Sequence, residues 1–323
     1  MKKINKTIAG LVMAGALLSK PLEAFEHWVE DGRDHIRIFQ SDIDSMYNPD
    51  LGHFLKIFNG VQNFKDEVFH LGEDLVVKNG LANLEKSQWF YGDGNSISYG
   101  GEHLFKLNED NRIVDLGILS RQHFFPTMGL NCEYVKDYVV ADNFFDGKNN
   151  PNAVAISTGG TTEQNLSVID AQGTLRNIHG NVIYGFGYGI QSINSEDRID
   201  GNTITDCEIG IRQRESLERV VSVGDLEIEG SGLNIFSNNV VYDISNLSDK
   251  PVMAQNNIWE NEPKLEGYVI LNPIDTPELP EIKPVCAISE VIRHKTEARK
   301  VRDYALKNNL GRKAVAMYHR RER

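Results

Sequence analysis

Cysteine is scarce in this chain, and no apolar run beyond the N-terminus is long enough to span a bilayer. The three cysteines, Cys132, Cys207 and Cys286, are an odd number and do not form a disulfide framework. The sequence also has no Walker loop, no zinc-ligand spacing and no nucleophile elbow. These absences disfavour common nucleotide, zinc and serine-hydrolase chemistry, and we expect three free, mostly buried thiols.

A short sequence motif recurs along the chain, in which Asn precedes two apolar or small residues that are common in β-strands. Gly180-Asn181 and Gly201-Asn202 open two matching frames, and both the Asn and a later Gly-Ile pair advance by 21 residues. A repeat of this length, made of β-branched runs and Gly/Asn turns, predicts a solenoid of stacked strands. An ordinary β-sandwich with coincidental Asn residues is the alternative. Further copies begin at Asn143, Asn239 and Asn257.

Two gaps between copies are longer than one repeat. The step from Asn143 to Asn181 is 38 residues and the step from Asn202 to Asn239 is 37. Each gap predicts two rungs of the solenoid, with the missing strands at 165–169 and 226–228. The same stacking argues against a disulfide, because Cys132 and Cys207 would lie more than three rungs apart at about 4.8 Å per rung.

The pattern along the chain divides it into five predicted regions. Residues 1–24 have a positive start, an apolar middle and a small residue at Ala24, which is typical of an export signal. An uncleaved anchor or a buried first helix is the alternative. The apolar face from Phe54 to Phe64 predicts a helix that caps the solenoid. The regions are a signal peptide (1–24), an N-terminal cap region (25–74), a parallel β-helix (75–262), a Pro-rich exit segment (263–287) and a basic helical tail (288–323).

Charge is distributed unevenly between the tail and the rest of the chain. Residues 293–323 contain 11 Lys/Arg and three Asp/Glu, a charge of +8, which leaves −20 on the rest of a chain whose net charge is −12. An acidic body with a basic tail predicts two surfaces with different partners. The alternative is that the charges of both regions only keep them solvated.

Residues from about 75 to 275 resemble right-handed parallel β-helix repeat proteins, the pectate-lyase-like superfamily. The run from Trp89 to Ile97 is similar to the opening rung of that group, and the Ile-x-x-Asn-x-Ile frame is similar to its middle rungs. The runs Gln255–Trp259 and Gly267–Pro273 are similar to the closing rung of its carbohydrate-binding and sugar-hydrolase members. The resemblance implies an all-β fold, and it does not fix an activity because this fold hosts lyases, hydrolases, epimerases and non-catalytic binders.

The best-known catalytic signatures of that superfamily are absent. The chain has no Gly-His-Gly or paired Asp of polygalacturonase-like hydrolases, and His179-Gly180 is the nearest fragment. It also lacks the Asp-Pro-His-Asp motif of alginate epimerases and the Arg-x-Pro-x-x-Arg motif of pectate lyases.

Two groups of residues are candidate catalytic groups. Asp200 follows His179 by 21 residues, one repeat length, so we expect the two to stack on adjacent rungs. They could form a pair that transfers protons, and the alternative is a turn-forming Asp beside an exposed His. Strand alternation after Ile211 places Arg212 and Arg214 on one outward face, with Gln191 one rung away.

Carboxylates and aromatic rings surround these arginines in the sequence. The resemblance to uronate lyases implies that the arginines act at C5 of an acidic sugar while Asp206, Glu208 and Glu215 hold Ca²⁺. No other cofactor is expected, and a surface ion-pair cluster is the alternative. Exposed rings on a Gly-rich turn would stack sugars, although packing against an adjacent turn is an equal alternative. The rings are those of Tyr184, Phe186 and Tyr188.

The sequence favours a secreted, periplasmic or cell-surface protein that binds a polysaccharide or cell-surface glycan along one solenoid face. Cleavage of that polysaccharide by β-elimination is an open possibility. One alternative is a non-enzymatic surface or scaffold protein whose basic tail docks an anionic partner. Another is an accessory factor that matures a periplasmic enzyme. Nucleic acid is not an expected partner.

Overall fold

The computed structural model describes residues 26–44, 51, 67–77, 82–121, 126–133, 135, 137–159, 176–191, 197–214, 221–224, 232–255 and 257–271. Over these residues the chain is mostly β, with one short helix, α1 (Gln40–Asp44). The predicted signal peptide, the helix expected at 54–64 and the basic tail lie outside the described residues. Within them the structure contains no helix with the length and hydrophobicity that a membrane crossing requires.

The strands are short, and most have between two and five residues. In chain order they are β1 (Glu26–Glu30), β2 (Arg33–Ile38), β3 (Val68–Leu71), β4 (Leu75–Val77), β5 (Ala82–Asn83), β6 (Trp89–Tyr91), β7 (Ser96–Tyr99), β8 (His103–Lys106), β9 (Asn111–Val114), β10 (Gly117–Ser120), β11 (Met128–Asn131), β12 (Tyr138–Ala141), β13 (Phe144–Ser157), β14 (Arg176–His179), β15 (Val182–Gln191), β16 (Asp197–Asp200), β17 (Thr203–Thr205), β18 (Ile209–Gln213), β19 (Val221–Gly224), β20 (Ile235–Ser237), β21 (Tyr242–Asn246), β22 (Val252–Ala254), β23 (Ile258–Trp259), β24 (Leu265–Glu266) and β25 (Val269–Ile270).

From β3 onward, consecutive strands belong to different sheets, and the chain returns to the same sheet once per rung. The first sheet runs β1-β2-β3-β6-β9-β12-β14-β16. The second runs β4-β7-β10-β13-β15-β17-β20-β23, and the third runs β5-β8-β11-β13-β15-β18-β21-β24, so that the long strands β13 and β15 serve both. A small sheet, β19-β22-β25, follows. All these pairings are parallel except that of β1 with β2, and the arrangement is consistent with a parallel β-helix.

Columns of apolar side chains fill the space between the sheets. Parallel strands covered on their inner face favour Ile and Val, which pack on the pleated surface and stack on residues one rung away. In the first sheet the register-paired core residues are Ile36, Phe69, Phe90, Ile113, Val140, Ile178 and Ile199, each at most 1 % exposed. In the third sheet they are Phe105, Leu130, Ile156, Ile190, Ile211 and Ile244, all 0 % exposed.

A buried ladder of asparagine amides runs along the corner between the first and second sheets. Nδ2 of Asn143 donates to Oδ1 of Asn181 at 3.0 Å, and Asn181 donates in the same way to Asn202 at 2.9 Å. Asn202 then donates to Asn234, and Asn234 to Asn257, each at 3.0 Å. The recurring Asn of the sequence is therefore confirmed as a structural repeat, in which each amide links two rungs.

The predicted repeat is wrong at one member. Asn234, and not Asn239, occupies the ladder position, while Asn239 lies at the next corner and accepts from the backbone N–H of Cys207 at 3.1 Å. The long gaps also do not contain two rungs, because β12 pairs directly with β14 and Asn202 bonds directly to Asn234. The strands expected at 165–169 and 226–228 lie outside the described residues.

Residues in the left-handed conformation form the corner that precedes the ladder. Asp142, Gly180 and Gly201 each come directly before a ladder Asn and have φ of 57°, 66° and 62°. Asp and Gly tolerate this conformation better than most residues, so the chain can turn sharply from one sheet into the next. The second corner uses Asp206 in the same way, with φ of 53° directly before Cys207.

The N-terminal edge of the solenoid is covered by a hairpin. β1 pairs antiparallel with β2 across a turn at Asp31 and Gly32, and β2 pairs in parallel with β3. Among the described residues this hairpin, rather than a helix, satisfies the outer edge of β3. The stacked strands also extend beyond the predicted limits of 75 and 262, because β3 begins at Val68 and β25 ends at Ile270.

Cys132 and Cys207 are buried and form no disulfide with any described residue, as predicted. Cys286 lies outside the described residues. Burial raises the pKa of the Cys207 thiol to about 12, so that very little thiolate is present at pH 8. We expect iodoacetamide to leave Cys207 unmodified in the folded protein and to modify it in urea, as read by peptide mass spectrometry. Equal labelling in both states would contradict its burial.

Candidate functional site

The outer surface of the third sheet brings together four of the predicted site residues. Gln191 of β15 and Arg212 of β18 are register partners on adjacent rungs. The guanidinium of Arg212 lies over the ring of Tyr188, with Cζ 4.9 Å from the ring centroid. The side-chain oxygen of Gln191 accepts from the guanidinium of Arg214, in the amide orientation that satisfies both groups. We call Tyr188, Gln191, Arg212 and Arg214 the arginine surface.

Among the residues that the structure describes, no carboxylate pairs with the two arginines of the arginine surface. Within the part of the chain that the structure describes, neither Arg212 nor Arg214 forms an ion pair, and Nε of Arg212 has no hydrogen-bond partner. Arg214 is exposed and Arg212 half-buried. A guanidinium held over an aromatic ring and left without a carboxylate partner can bind an anionic or polar ligand.

Polar residues continue this surface along the solenoid axis. Six parallel pairings link seven positions on strands β8, β11, β13, β15, β18, β21 and β24. At about 4.8 Å per rung this polar column is roughly 29 Å long, a length that suits an extended chain. Its two serines and Gln191 are buried, and its other members are half-buried or exposed. The seven residues are Lys106, Asn131, Ser157, Gln191, Arg212, Ser245 and Glu266.

A mostly half-buried apolar column lies beside the polar one. Its members occupy register-paired positions, each three residues before the polar-column residue of the same strand, so that an apolar column lies next to a polar one. Together the two columns present ring or aliphatic faces next to hydrogen-bonding groups, a combination that suits a sugar, which has both apolar and polar faces. The column consists of Met128, Val154, Tyr188, Ile209 and Tyr242.

The predicted calcium ligands do not form a cluster in the described part of the chain. Asp206 is the left-handed corner residue, and its carboxylate accepts from Oγ1 of Thr205 at 3.0 Å. Glu208 is exposed beyond the same corner, and Glu215 lies outside the described residues. Among the described residues, no three His, Cys, Asp or Glu side chains come together as metal ligands.

His179 and Asp200 are register partners, as the 21-residue lag predicts. They belong to β14 and β16 of the first sheet, whereas Arg212 belongs to the third. Oδ1 of Asp200 accepts from the backbone N–H of Gly232 at 2.8 Å, and Oδ2 lies 3.6 Å from Nε of Arg198. The four predicted catalytic residues are therefore divided between two sheets.

Two of the three rings expected to stack sugars are buried. Tyr184 is 4 % exposed and Phe186 is 2 % exposed, so both rings are packed inside the protein, as in the alternative to sugar stacking. Their glycine neighbours lie within strand β15 and not in a turn, where small residues let the backbone of adjacent rungs approach closely. Tyr188 alone of the three is half-buried, beside Arg212.

A second cluster, on the first sheet near the N-terminus, is not predicted by the sequence pattern. The rings of Trp28, His35 and His70 lie within 5.2 Å of one another, centroid to centroid, and Tyr91 stacks on His70 at 5.6 Å. The alternation of Val68-Phe69-His70-Leu71 could have placed His70 outward. The hairpin that delivers Trp28 and His35 lies outside the repeat, and no periodicity marks it.

Trp89 lies beside this cluster and is enclosed by two arginines. Cζ of Arg33 is 3.6 Å from the indole centroid and Cζ of Arg112 is 4.0 Å from it. Two guanidiniums this close to one centroid must cover opposite faces of the ring. The indole therefore has no free face on which a sugar could stack, and the sandwich contributes to stability instead.

The fold and the site define a solenoid of parallel strands with a buried Asn ladder and a polar, arginine-bearing outer surface. A family described as "Protein of unknown function (DUF1565)" matches residues 73–265, more than half of the chain. The chain belongs to the DUF1565 family. Comparison with curated proteins and with solved structures gives no match.

Proposed function

We propose that this protein is a right-handed parallel β-helix of the pectate-lyase-like type that binds an acidic polysaccharide along the outer surface of its third sheet. The observation that carries the proposal is Arg212, held over Tyr188 without an ion-pair partner in the described chain. The guanidinium provides charge and the ring provides an apolar face, and both are fixed to a rigid strand.

The roughly 29 Å column that contains Arg212 supports an extended ligand rather than a small molecule. The rungs place its polar side chains at a regular interval, so several sugar units can be contacted in sequence by the members that reach the surface. Arg214, oriented by Gln191, adds a second guanidinium for a carboxylate-bearing sugar.

Binding without cleavage fits the described geometry better than β-elimination does. A lyase of the uronate type would need carboxylates that hold a cation beside the arginines. Asp206 is engaged at a corner, and Glu208 projects from the same turn. Export to the periplasm or the cell surface is part of the proposal. The charge of +8 on residues 293–323 favours, as a second candidate, a scaffold whose tail docks an anionic partner.

We expect Arg212→Ala to weaken binding to a uronate polymer about tenfold or more, because the interaction that it removes is charge-assisted. A panel of uronate polymers would be screened by affinity electrophoresis, and the best ligand followed by calorimetry. Arg198→Ala removes an equally charged side chain from the first sheet and serves as the matched control.

The absorbance of unsaturated sugars, followed with and without calcium in the same mixtures, separates binding from cleavage. An unchanged affinity in Arg212→Ala, or an equal loss of affinity in Arg198→Ala, would refute the placement of the site. If no polymer binds the unaltered protein, the proposal of a uronate-binding surface fails.

A further inference from the structure

The last rung of the solenoid ends in a layer of apolar side chains. In the second, third and small sheets the last apolar residue is half-buried, although its register partner one rung earlier is at most 1 % exposed. Trp259 stacks on Phe236 with ring centroids 4.7 Å apart, so the rung below covers one face of its indole. The pairs are Phe236 and Trp259, Ile244 and Leu265, and Val252 and Val269. We call Trp259, Leu265, Val269 and Leu271, which pack against the core from this side, the open end.

The open end also has an unpaired strand edge, since no described strand pairs with the outer side of β23, β24 or β25. The backbone N–H groups of Ile258 and Glu260 donate to the previous rung at 2.8 and 3.0 Å, so the N–H of Trp259 between them faces away from it. Asn257 ends the ladder. Within the described chain its Nδ2 donates to the carbonyl of Ala254 alone, whereas each earlier member also donates to the next Asn. Such an edge pairs with any strand that reaches it unless something covers it.

Exposed apolar side chains are concentrated at this end of the molecule. Six large apolar residues are exposed among the described residues, and four of them lie between 240 and 268. Tyr268, in the last rung, is 58 % exposed. A group of exposed apolar residues beside an unpaired edge indicates a binding surface. The four residues are Val240, Val241, Leu247 and Tyr268.

The last rung carries a net negative charge. Residues 257–271 contain three carboxylates and one lysine, which gives a charge of −2. Nζ of Lys264 donates to a backbone carbonyl of the previous rung at 2.7 Å. A partner that suits the open end therefore combines an apolar face with basic side chains. The three carboxylates are those of Glu260, Glu262 and Glu266.

A segment with these properties follows the last described residue in the same chain. The spacing of apolar residues between 288 and 305 predicts one face of a helix, and Lys295, Arg299 and Arg302 border that face. The sixteen residues 272–287 can extend over roughly 50 Å, which allows the segment to fold back over the end. The predicted apolar face consists of Ile288, Val291, Ala298, Val301 and Ala305.

We propose that the apolar face of residues 288–305 binds the open end of the same chain and closes the solenoid, with its basic border beside the carboxylates of the last rung. A segment of the same chain is favoured over a second copy because its linker holds it near the end at a high effective concentration. Closure leaves the arginine surface accessible, because that surface lies on the outer side of the third sheet.

Hydrogen–deuterium exchange of peptides covering residues 257–271 tests the closure in the full-length protein. Val291→Asp places a carboxylate on the predicted apolar face. We expect protection of these peptides to fall about tenfold or more, because an unpaired charge is not buried against apolar side chains.

Thr296→Asp is the matched control, since it replaces another β-branched residue on the opposite side of the predicted helix and should keep the protection. Peptides from β6 and β9 report on folding and should be unchanged in both variants. Equal protection of the last rung in the two variants, or no protection of it in the unaltered protein, would overturn the proposal.

Carbodiimide cross-linking of the unaltered protein identifies the occupant of the open end without any variant. This reagent joins a carboxylate to an amine in direct contact, so we expect peptides that link Lys295 to Glu260 or Glu262. Lys300 is predicted to face away from the apolar side, and its links to the last rung should be rarer.

An equal mixture of nitrogen-15-labelled and unlabelled protein shows which copy supplies the segment. Links within one copy support the closure. Links between copies would show that a second copy covers the end and would refute it, and so would the absence of links between Lys295 and the last rung.

Discussion

Asn181→Ala should be among the most destabilising single substitutions in the described part of the chain. Nδ2 of Asn181 donates to Oδ1 of Asn202 at 2.9 Å and to the carbonyl of Val140 at 2.9 Å. Its Oδ1 accepts from the backbone N–H and from Nδ2 of Asn143, both at 3.0 Å. Alanine removes all four bonds at a position that is 0 % exposed, so their partners are left in the protein interior.

We expect the free energy of unfolding to fall by about 4 kcal/mol, since each buried polar group left without a partner costs roughly 1–3 kcal/mol. Urea titration followed by circular dichroism measures the change. Asn83→Ala, at an exposed strand position, is the control and should change the stability by less than about 0.5 kcal/mol. Similar effects of the two variants would show that the ladder does not hold the rungs.

Gly187→Ala should be comparably harmful, for a steric reason. A Cβ at this position would lie 1.8 Å from the carbonyl oxygen and 2.4 Å from the carbonyl carbon of Pro151. The obstacle is backbone in strand β13, which cannot rotate away as a side chain can. Strands β13 and β15 would have to separate where they serve both the second and the third sheets.

The expected cost of Gly187→Ala is about 3 kcal/mol or more, at the upper end for overpacking. Gly32→Ala is the matched control, because no atom lies within 4 Å of its added Cβ and only the left-handed φ of 79° opposes it. That substitution should cost roughly 1 kcal/mol. The urea midpoints of unfolding of the two variants are compared, and Gly187→Ala should have the lower one. If Gly187→Ala is the more stable variant, strands β13 and β15 do not approach each other as closely as described.

The sequence is informative where the same residue type recurs in the same structural role. Asn143, Asn181 and Asn202 are recognisable because each follows a sharp corner and precedes two apolar or small residues. Asn234 is harder to recognise because Leu233, with a left-handed φ of 55°, precedes it in place of the glycine of the clean repeats. Asn239 is misleading because its local sequence is similar, although it lies at a different corner.

The candidate site is predictable only within one sheet. Alternation and a 21-residue lag place Gln191 and Arg212 on adjacent rungs, because both rules are local to neighbouring strands. The same rules say nothing about which sheet a residue occupies, so they could not show that the His179–Asp200 pair and Arg212 lie on different sheets. The bonds of the hairpin are unpredictable for another reason, since His35 reaches His70 across a connection that no repeat defines.

In the asparagine ladder, the distance between two rungs does not depend on the number of residues that connect them. Asn143 and Asn181 are 38 residues apart in sequence while Asn181 and Asn202 are 21 apart, yet the amide-to-amide bonds differ by only 0.1 Å, 3.0 Å against 2.9 Å. Extra residues between two layers therefore leave the vertical spacing untouched. A connection between two rungs can therefore grow longer and provide a new surface while the hydrogen-bonded ladder keeps the same spacing.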